Sequence, residues 1–200
     1  MKKVFCFCFM VFFLCNGISF GKTVNQGTFS LSGSTGLEFS DSTTEYDRRG
    51  VEDTDETEIN LEADFHYFFQ PNMGIGLIYL YQSSEEDSGG EEFDSSLWMI
   101  GPAFEIQLEM NQQTNAFFQI AIGLASGEAE LSDDDDSIDA DIEGSMWQIG
   151  AGIKHFFNNH VALNASLIYE SSEMEYDYGI YTSDVDITST ALKVGFSVYF

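Results

Sequence analysis

The 200 residues carry 34 Asp and Glu against 7 Lys and Arg, a formal net charge of −27. Such acidity excludes a nucleic-acid partner, because phosphates need a basic footprint. It does not imply an unfolded chain, since 15% of the residues are aromatic, including 19 Phe, a content that acidic disordered sequences lack.

The first residues read as an address. Lys2 and Lys3 precede an apolar run from Val4 to Cys15, and Ser19 and Gly21 stand three and one positions before a cut ahead of Lys22. This pattern predicts a secretory signal peptide over residues 1–21; its apolar run is shorter than the roughly 20 residues of a membrane-spanning helix. Phe12, Phe13 and Leu14 stand where a lipoprotein site wants small residues, which argues against a lipid anchor on Cys15. Because Cys6, Cys8 and Cys15 all lie in the leader, the domain over residues 22–200 is expected to hold no disulfide, thiolate nucleophile or cysteine metal site.

Eight runs then alternate apolar and polar residues with the period of a strand: about Thr28–Ser40, Glu58–Gln70, Met73–Gln82, Ser95–Met110, Ala116–Ala125, Met146–Phe157, Val161–Glu170 and Ile187–Phe200. Short connections, Gln70-Pro71-Asn72, Asn111–Asn115 and Asn158-Asn159-His160, alternate with four acidic blocks, Asp41–Glu56, Ser83–Asp94, Ser126–Ser145 and Ser171–Asp186. The prediction is an all-β fold, an eight-stranded antiparallel transmembrane β-barrel of up-and-down topology. Its turns would be periplasmic and its acidic blocks long outward loops. Alternation continues through Ala129-Glu130-Leu131, Ile138–Ile142 and Met174, Tyr176 and Tyr178, so strands five to eight are expected to run on beyond the membrane, the first pair as a protruding hairpin whose edge could take a partner.

Alternation alone does not say whether the apolar face meets lipid or a soluble core. The aromatic residues decide for lipid: Phe39, Tyr79, Tyr81, Trp98, Trp147 and Tyr169 fall at one end of their strands, and Tyr67, Phe69, Phe118, Phe157 and Phe200 at the other. Rings with an apolar body and a polar edge favour the two lipid–water boundaries.

The chain ends Lys193-Val194-Gly195-Phe196-Ser197-Val198-Tyr199-Phe200. A polar residue (Lys193), a glycine two positions on (Gly195), a later apolar residue (Val198) and a final aromatic (Phe200) resemble the terminal signal that outer-membrane barrels present to the assembly machinery. With the strand count, the domain resembles the OmpA/OmpX-like family of small outer-membrane barrels. That resemblance implies the outer membrane of a Gram-negative bacterium, contact with outer-membrane lipid and lipopolysaccharide, recognition by the barrel-assembly machinery, and a monomer. The chain departs from OmpA itself in ending at Phe200, so no peptidoglycan-binding domain is expected. Its acidic blocks also lack the basic, apolar surface of an adhesin for heparan chains.

Three sets of residues could carry function. By parity Glu38, Glu58, Glu62, Asp64, His66, Glu105, Gln107, Glu109, Gln148, Lys154 and Lys193 point inward. Buried charge must be paired, so Lys154 and Lys193 with Glu62, Asp64 and Glu105 form either a plugging network or the lining of a narrow, cation-preferring path. Ile78, Leu80, Leu97, Met99 and Ile168 point inward near the outer end, either as a dry core or as a pocket for a small hydrophobic solute. Asp133, Asp134, Asp135, Asp136, Asp139 and Asp141 offer hard oxygen ligands, yet Ile138 and Gly144 occupy the glycine and glutamate places of an EF-hand. Loose divalent-cation bridging to lipopolysaccharide phosphates therefore fits better than a defined metal site. No cofactor is expected. His66, His155 and His160 all map to the periplasmic end, away from any rim serine, so no enzyme is expected either. The reading is a structural or surface-interaction protein, with the narrow pore or solute carrier as alternative.

Overall fold

The structure, a computed structural model, describes residues 23–42, 55–88, 91–133, 136–179 and 182–200. The leader over residues 1–21 and the candidate ligands Asp134 and Asp135 lie outside these residues. Eight strands follow in chain order: β1 (Phe29–Ser42), β2 (Asp55–Gln70), β3 (Met73–Ser88), β4 (Glu91–Asn111), β5 (Thr114–Asp133), β6 (Asp136–Phe156), β7 (Val161–Asp177) and β8 (Thr182–Tyr199). Each pairs antiparallel with the next, and β1 pairs with β8, closing the ring.

The turns between β2 and β3, β4 and β5, and β6 and β7 are as short as their sequences suggest. At the first, Asn72 takes φ of 62°, a left-handed conformation that asparagine tolerates; its side chain accepts from the Val24 amide at 2.7 Å. At the opposite end strands five to eight run on past their membrane lengths, as the alternation in their acidic blocks leads one to expect, and β3 and β4 run on as well. The second, third and fourth acidic blocks are largely strand among the described residues: β4 includes Glu91–Asp94, β5 and β6 pair up to Asp133↔Asp136, and β7 and β8 pair up to Asp177↔Thr182. Over these three blocks strands stand where long acidic loops were expected, while residues 43–54 of the first block lie outside the described residues. The alternation seen at Ala129-Glu130-Leu131, Ile138–Ile142 and Met174, Tyr176 and Tyr178 is that of these strand extensions; only in the block of β3 and β4 did the density of carboxylates hide it.

Ring closure depends on a close approach. At Gly195 a Cβ would lie 2.1 Å from the Gly33 carbonyl oxygen and 2.7 Å from Ser34 Cα, so no side chain fits between β8 and β1 there.

Candidate functional site

The two faces of the wall exchange polarity part-way up. In the lower part, outward residues are apolar and well exposed: Ile120, Ile122 and Leu124 on β5, Ile153 on β6, Leu167 on β7, and Leu192, Val194, Phe196 and Val198 on β8. The inward residues there include the buried polar side chains of Asp64, Glu105, Gln119, Lys154 and Lys193. Above Trp98, Trp147 and Tyr169 the assignment reverses. Outward positions become Ser126, Glu128 and Glu130 on β5 and Ser145, Glu143, Asp141 and Asp139 on β6, while Ala125, Ala129, Ala140, Ile142, Met146 and Met174 are buried inside.

An outward apolar face belongs in hydrocarbon and an outward polar face in water, so the reversal marks the upper boundary. Trp147 and Tyr169 pack there, tilted, at 5.6 Å between ring centres. At the lower edge Phe29 meets Phe65 and Tyr67 at 5.7 and 5.0 Å. Trp147 and Phe157 are ten residues apart on one strand and its turn. At about 3.3 Å per residue and a tilt of about 40°, that spans about 25 Å, the height of an outer-membrane apolar band.

The lower lumen is filled by charge. Lys193 Nζ lies 2.8 Å from Glu62 Oε2 and 2.7 Å from Glu170 Oε1, joining β8 to β2 and β7. Lys154 Nζ lies 2.6 Å from Glu105 Oε2 and 4.7 Å from the centre of the Phe117 ring. Asp64 accepts from Gln119 Nε2 at 2.9 Å, and Gln107 donates to Glu105 at 2.7 Å and to the Tyr199 hydroxyl at 3.0 Å. His66 is fully buried, and both its ring nitrogens lack a hydrogen-bond partner among the described residues.

Above this network the lumen is apolar: Ile78, Leu80 and Met99 pack with Ala103, Ala121, Ala125, Met146 and Met174, and Phe93, Leu97, Tyr176 and Tyr178 close over them. The recess beside Leu80 and Lys193, which Thr35, Asn60 and Glu62 also line, has no volume that a water molecule's centre could occupy. Below, the segment before β1 forms a floor. Val24 is buried against Phe68, Phe156, Ala162 and Tyr199. Its carbonyl accepts from the Asn72 amide at 2.9 Å, and Thr23 Oγ1 donates to Glu109.

The outer membrane protein beta-barrel domain family matches residues 23–200, almost the whole of what the structure describes. The chain belongs to this family. No curated protein sequence matches it. Among solved structures it is similar to Neisserial surface protein A, with a TM-score of 0.57 and 12% identity over 90% of this chain and 99% of that one. It is also similar to the attachment invasion locus protein of Yersinia pestis, with a TM-score of 0.55 and 16% identity over 88% and 99% of the two chains. The N-terminal barrel domain of Pseudomonas aeruginosa OprF follows at 0.52 and 14% over 88% and 100%. Identities this low establish the fold alone. Family and fold together place the protein in the outer membrane of a Gram-negative cell, with the three short turns periplasmic.

In this membrane frame, Lys154, Lys193, Glu62, Asp64 and Glu105 are brought together in the lower lumen. Parity had not singled out Glu170, although it shares the inward parity of Ile168 two residues earlier; it lies at the end of the predicted strand. Gln119 was missed although it shares the inward parity of Phe117 and Ala121, and Val24 because nothing in its own sequence context marks a floor. Of the apolar set, Ile78, Leu80 and Met99 are packed in the upper cluster, Leu97 packs against it, and buried Ile168 lies beneath, with its Cδ1 over Gly150. Asp139 and Asp141 do not converge with other ligands but stand exposed on the outward face of β6, because they sit on a strand rather than a loop. Glu109 is at the floor, half-buried, with Thr23 and Asn72. The side chains of Glu38, Glu58, Asp133 and Asp136 lie outside the described residues.

The terminal signal has a structural face too. Phe200 and Phe29 exchange two backbone bonds of 3.0 and 2.8 Å, the lowest rung of the closure between β8 and β1.

Proposed function

We propose that the protein is a plugged barrel whose working part is the acidic collar above the membrane, with a structural or surface-interaction role. One observation carries this reading: the exposed carboxylates of the collar are stacked in lateral rows. Glu85, Asp94, Glu130 and Asp139 face one another in register across four strands. Glu128, Asp141 and Asp177 form a second row, Glu143, Glu175 and Asp184 a third, and Glu173 with Asp186 a fourth.

Like charges directly opposite on a sheet are destabilising, by a few tenths to about 1 kcal/mol a pair. A surface needed only for solubility would intersperse both signs. Among the described residues the Lys and Arg side chains are Lys154 and Lys193, both inside the lumen. The collar thus carries a field that a cationic partner relieves, and divalent cations shared with lipopolysaccharide phosphates would do the same at its base. A charge-filled lower lumen, an apolar upper lumen and a floor segment all oppose conduction.

The test is single-channel recording of refolded protein in planar bilayers. Silence across a range of voltages supports the plugged barrel; a steady cation-selective conductance would favour the narrow pore and overturn this reading.

A further inference from the structure

The barrel wall is not paired over its whole height. β1 and β2 pair from Phe29↔Tyr67 to Thr35↔Leu61. The same register would next join Gly36 to Asn60 and finally Asp41 to Asp55, and among the described residues none of these pairs forms. Both strands nevertheless continue: β1 pairs with β8 up to Ser42↔Ile187, and β2 pairs with β3 up to Asp55↔Asp87.

At the base of this split, Thr35 Oγ1 donates at 3.0 Å to the Asn60 carbonyl, the acceptor that the Gly36 amide would take in a continuous ladder. Outward Ile59 on β2 is still apolar and exposed, and the next positions of that parity, Thr57 and Asp55, are polar, so the split opens at the upper edge of the apolar band and its upper part rises out of the hydrocarbon.

The alternation of an antiparallel ladder says which groups face the gap. Phe29 exchanges both its backbone bonds with Phe200, and the Phe68 amide donates to Thr28, so odd residues of β1 bond toward β8 and even residues of β1 and β2 bond toward each other. Past the split, the amides and carbonyls of Gly36, Glu38 and Ser40 point into the gap from β1, and those of Glu56 and Glu58 from β2.

We propose that this split is a strand-addition site, at which the open edge of β1 pairs with an extended, basic polypeptide segment of a partner. The proposal rests on the surface-interaction reading above and names its docking point. An unpaired edge is a template for another strand, and protein edges are commonly blunted by lysine, proline or a bulge. Neither 36–42 nor 55–60 contains a lysine or a proline. The same two stretches hold Glu38, Asp41, Asp55, Glu56 and Glu58 and no cation, so charge selects a basic strand over an acidic or neutral one.

The experiment is amide exchange, followed by NMR, on the full refolded barrel in micelles. The probe is a short synthetic peptide alternating lysine and threonine, with its glutamate counterpart as control. Without peptide, Gly36, Glu38 and Ser40 should exchange freely while Leu37 and Phe39, bonded toward β8, are protected. The lysine peptide should slow the even set by about tenfold or more, and the glutamate peptide should not. Ser40→Pro removes a donor from the gap and none from the β8 ladder. It should weaken peptide binding by about threefold to tenfold, the worth of one hydrogen bond, with Leu37 and Phe39 still protected.

Protection of the even set before any peptide is added would mean a closed ladder and overturn the proposal. So would peptide binding that leaves the edge unprotected and survives Ser40→Pro, because the collar charge alone would then be the binder and the surface role would stand. Protection that grows with protein concentration alone would assign the edge to a second copy of the chain. None of these outcomes depends on conductance, the separate test of the surface role.

Discussion

Replacing Lys193 with Met removes the cation that bridges Glu62 and Glu170, both of them buried. At an effective dielectric of about 20, each contact near 2.8 Å is worth roughly 6 kcal/mol of Coulomb attraction before desolvation is charged against it. What remains after loss of the cation is two buried carboxylates that have lost their shared ammonium, and breaking a buried pair in this way costs about 3–5 kcal/mol. Methionine has nearly the length of the lysine stem, so the cavity contribution is small and the loss reports charge. The assay is urea unfolding in detergent micelles, comparing wild type, Lys193→Met, Lys193→Met with Glu62→Gln and Glu170→Gln, and the exposed control Asp184→Asn. Lys193→Met should lose about 3–5 kcal/mol, the triple variant should recover most of it because no charge is then stranded, and the control should stay within about 0.5 kcal/mol. Wild-type stability of Lys193→Met would show that the ammonium is hydrated and that the network does not plug the lumen. A triple variant as poor as the single one would mean that the lysine acts through packing instead.

The polarity reversal predicts opposite responses on a single strand: Ile122→Arg should cost about 2–4 kcal/mol in lipid refolding titrations, whereas Glu128→Arg, three rungs higher on the same face, should cost nothing or stabilise by relieving Asp141; equal costs would place the boundary elsewhere. Gly195→Ala puts a methyl 2.1 Å from the Gly33 carbonyl, so refolding yield should fall sharply, as read by the gel shift of folded barrel, and full yield would refute the close approach. Deleting Phe200 should reduce membrane levels in cells far more than it reduces stability in detergent, since its side chain is 63% exposed and only one rung is lost; equal losses in both would mean that it acts through packing alone.

The period-two alternation determined the number of strands, their order, and which face of each meets lipid, because side chains on a strand can point only two ways and the outward set had to be apolar between two aromatic belts. It determined as well that Lys154 and Lys193 would be inside. The reversal above Trp147 was also written in the sequence, in Met146, Ile142 and Ala140 against Ser145, Glu143 and Asp141, but a high density of carboxylates looks the same in a solvated loop and on the wet face of a strand. Parity says which way a side chain points and nothing about its lateral neighbours, which the stagger of the strands around the ring decides. Only the closed barrel could therefore match Lys193 with Glu170 as well as Glu62, hand Asp64 to Gln119, set the carboxylates of the collar in rows, turn Val24 under the floor, and end the pairing of β1 with β2 at Thr35 while both strands run on.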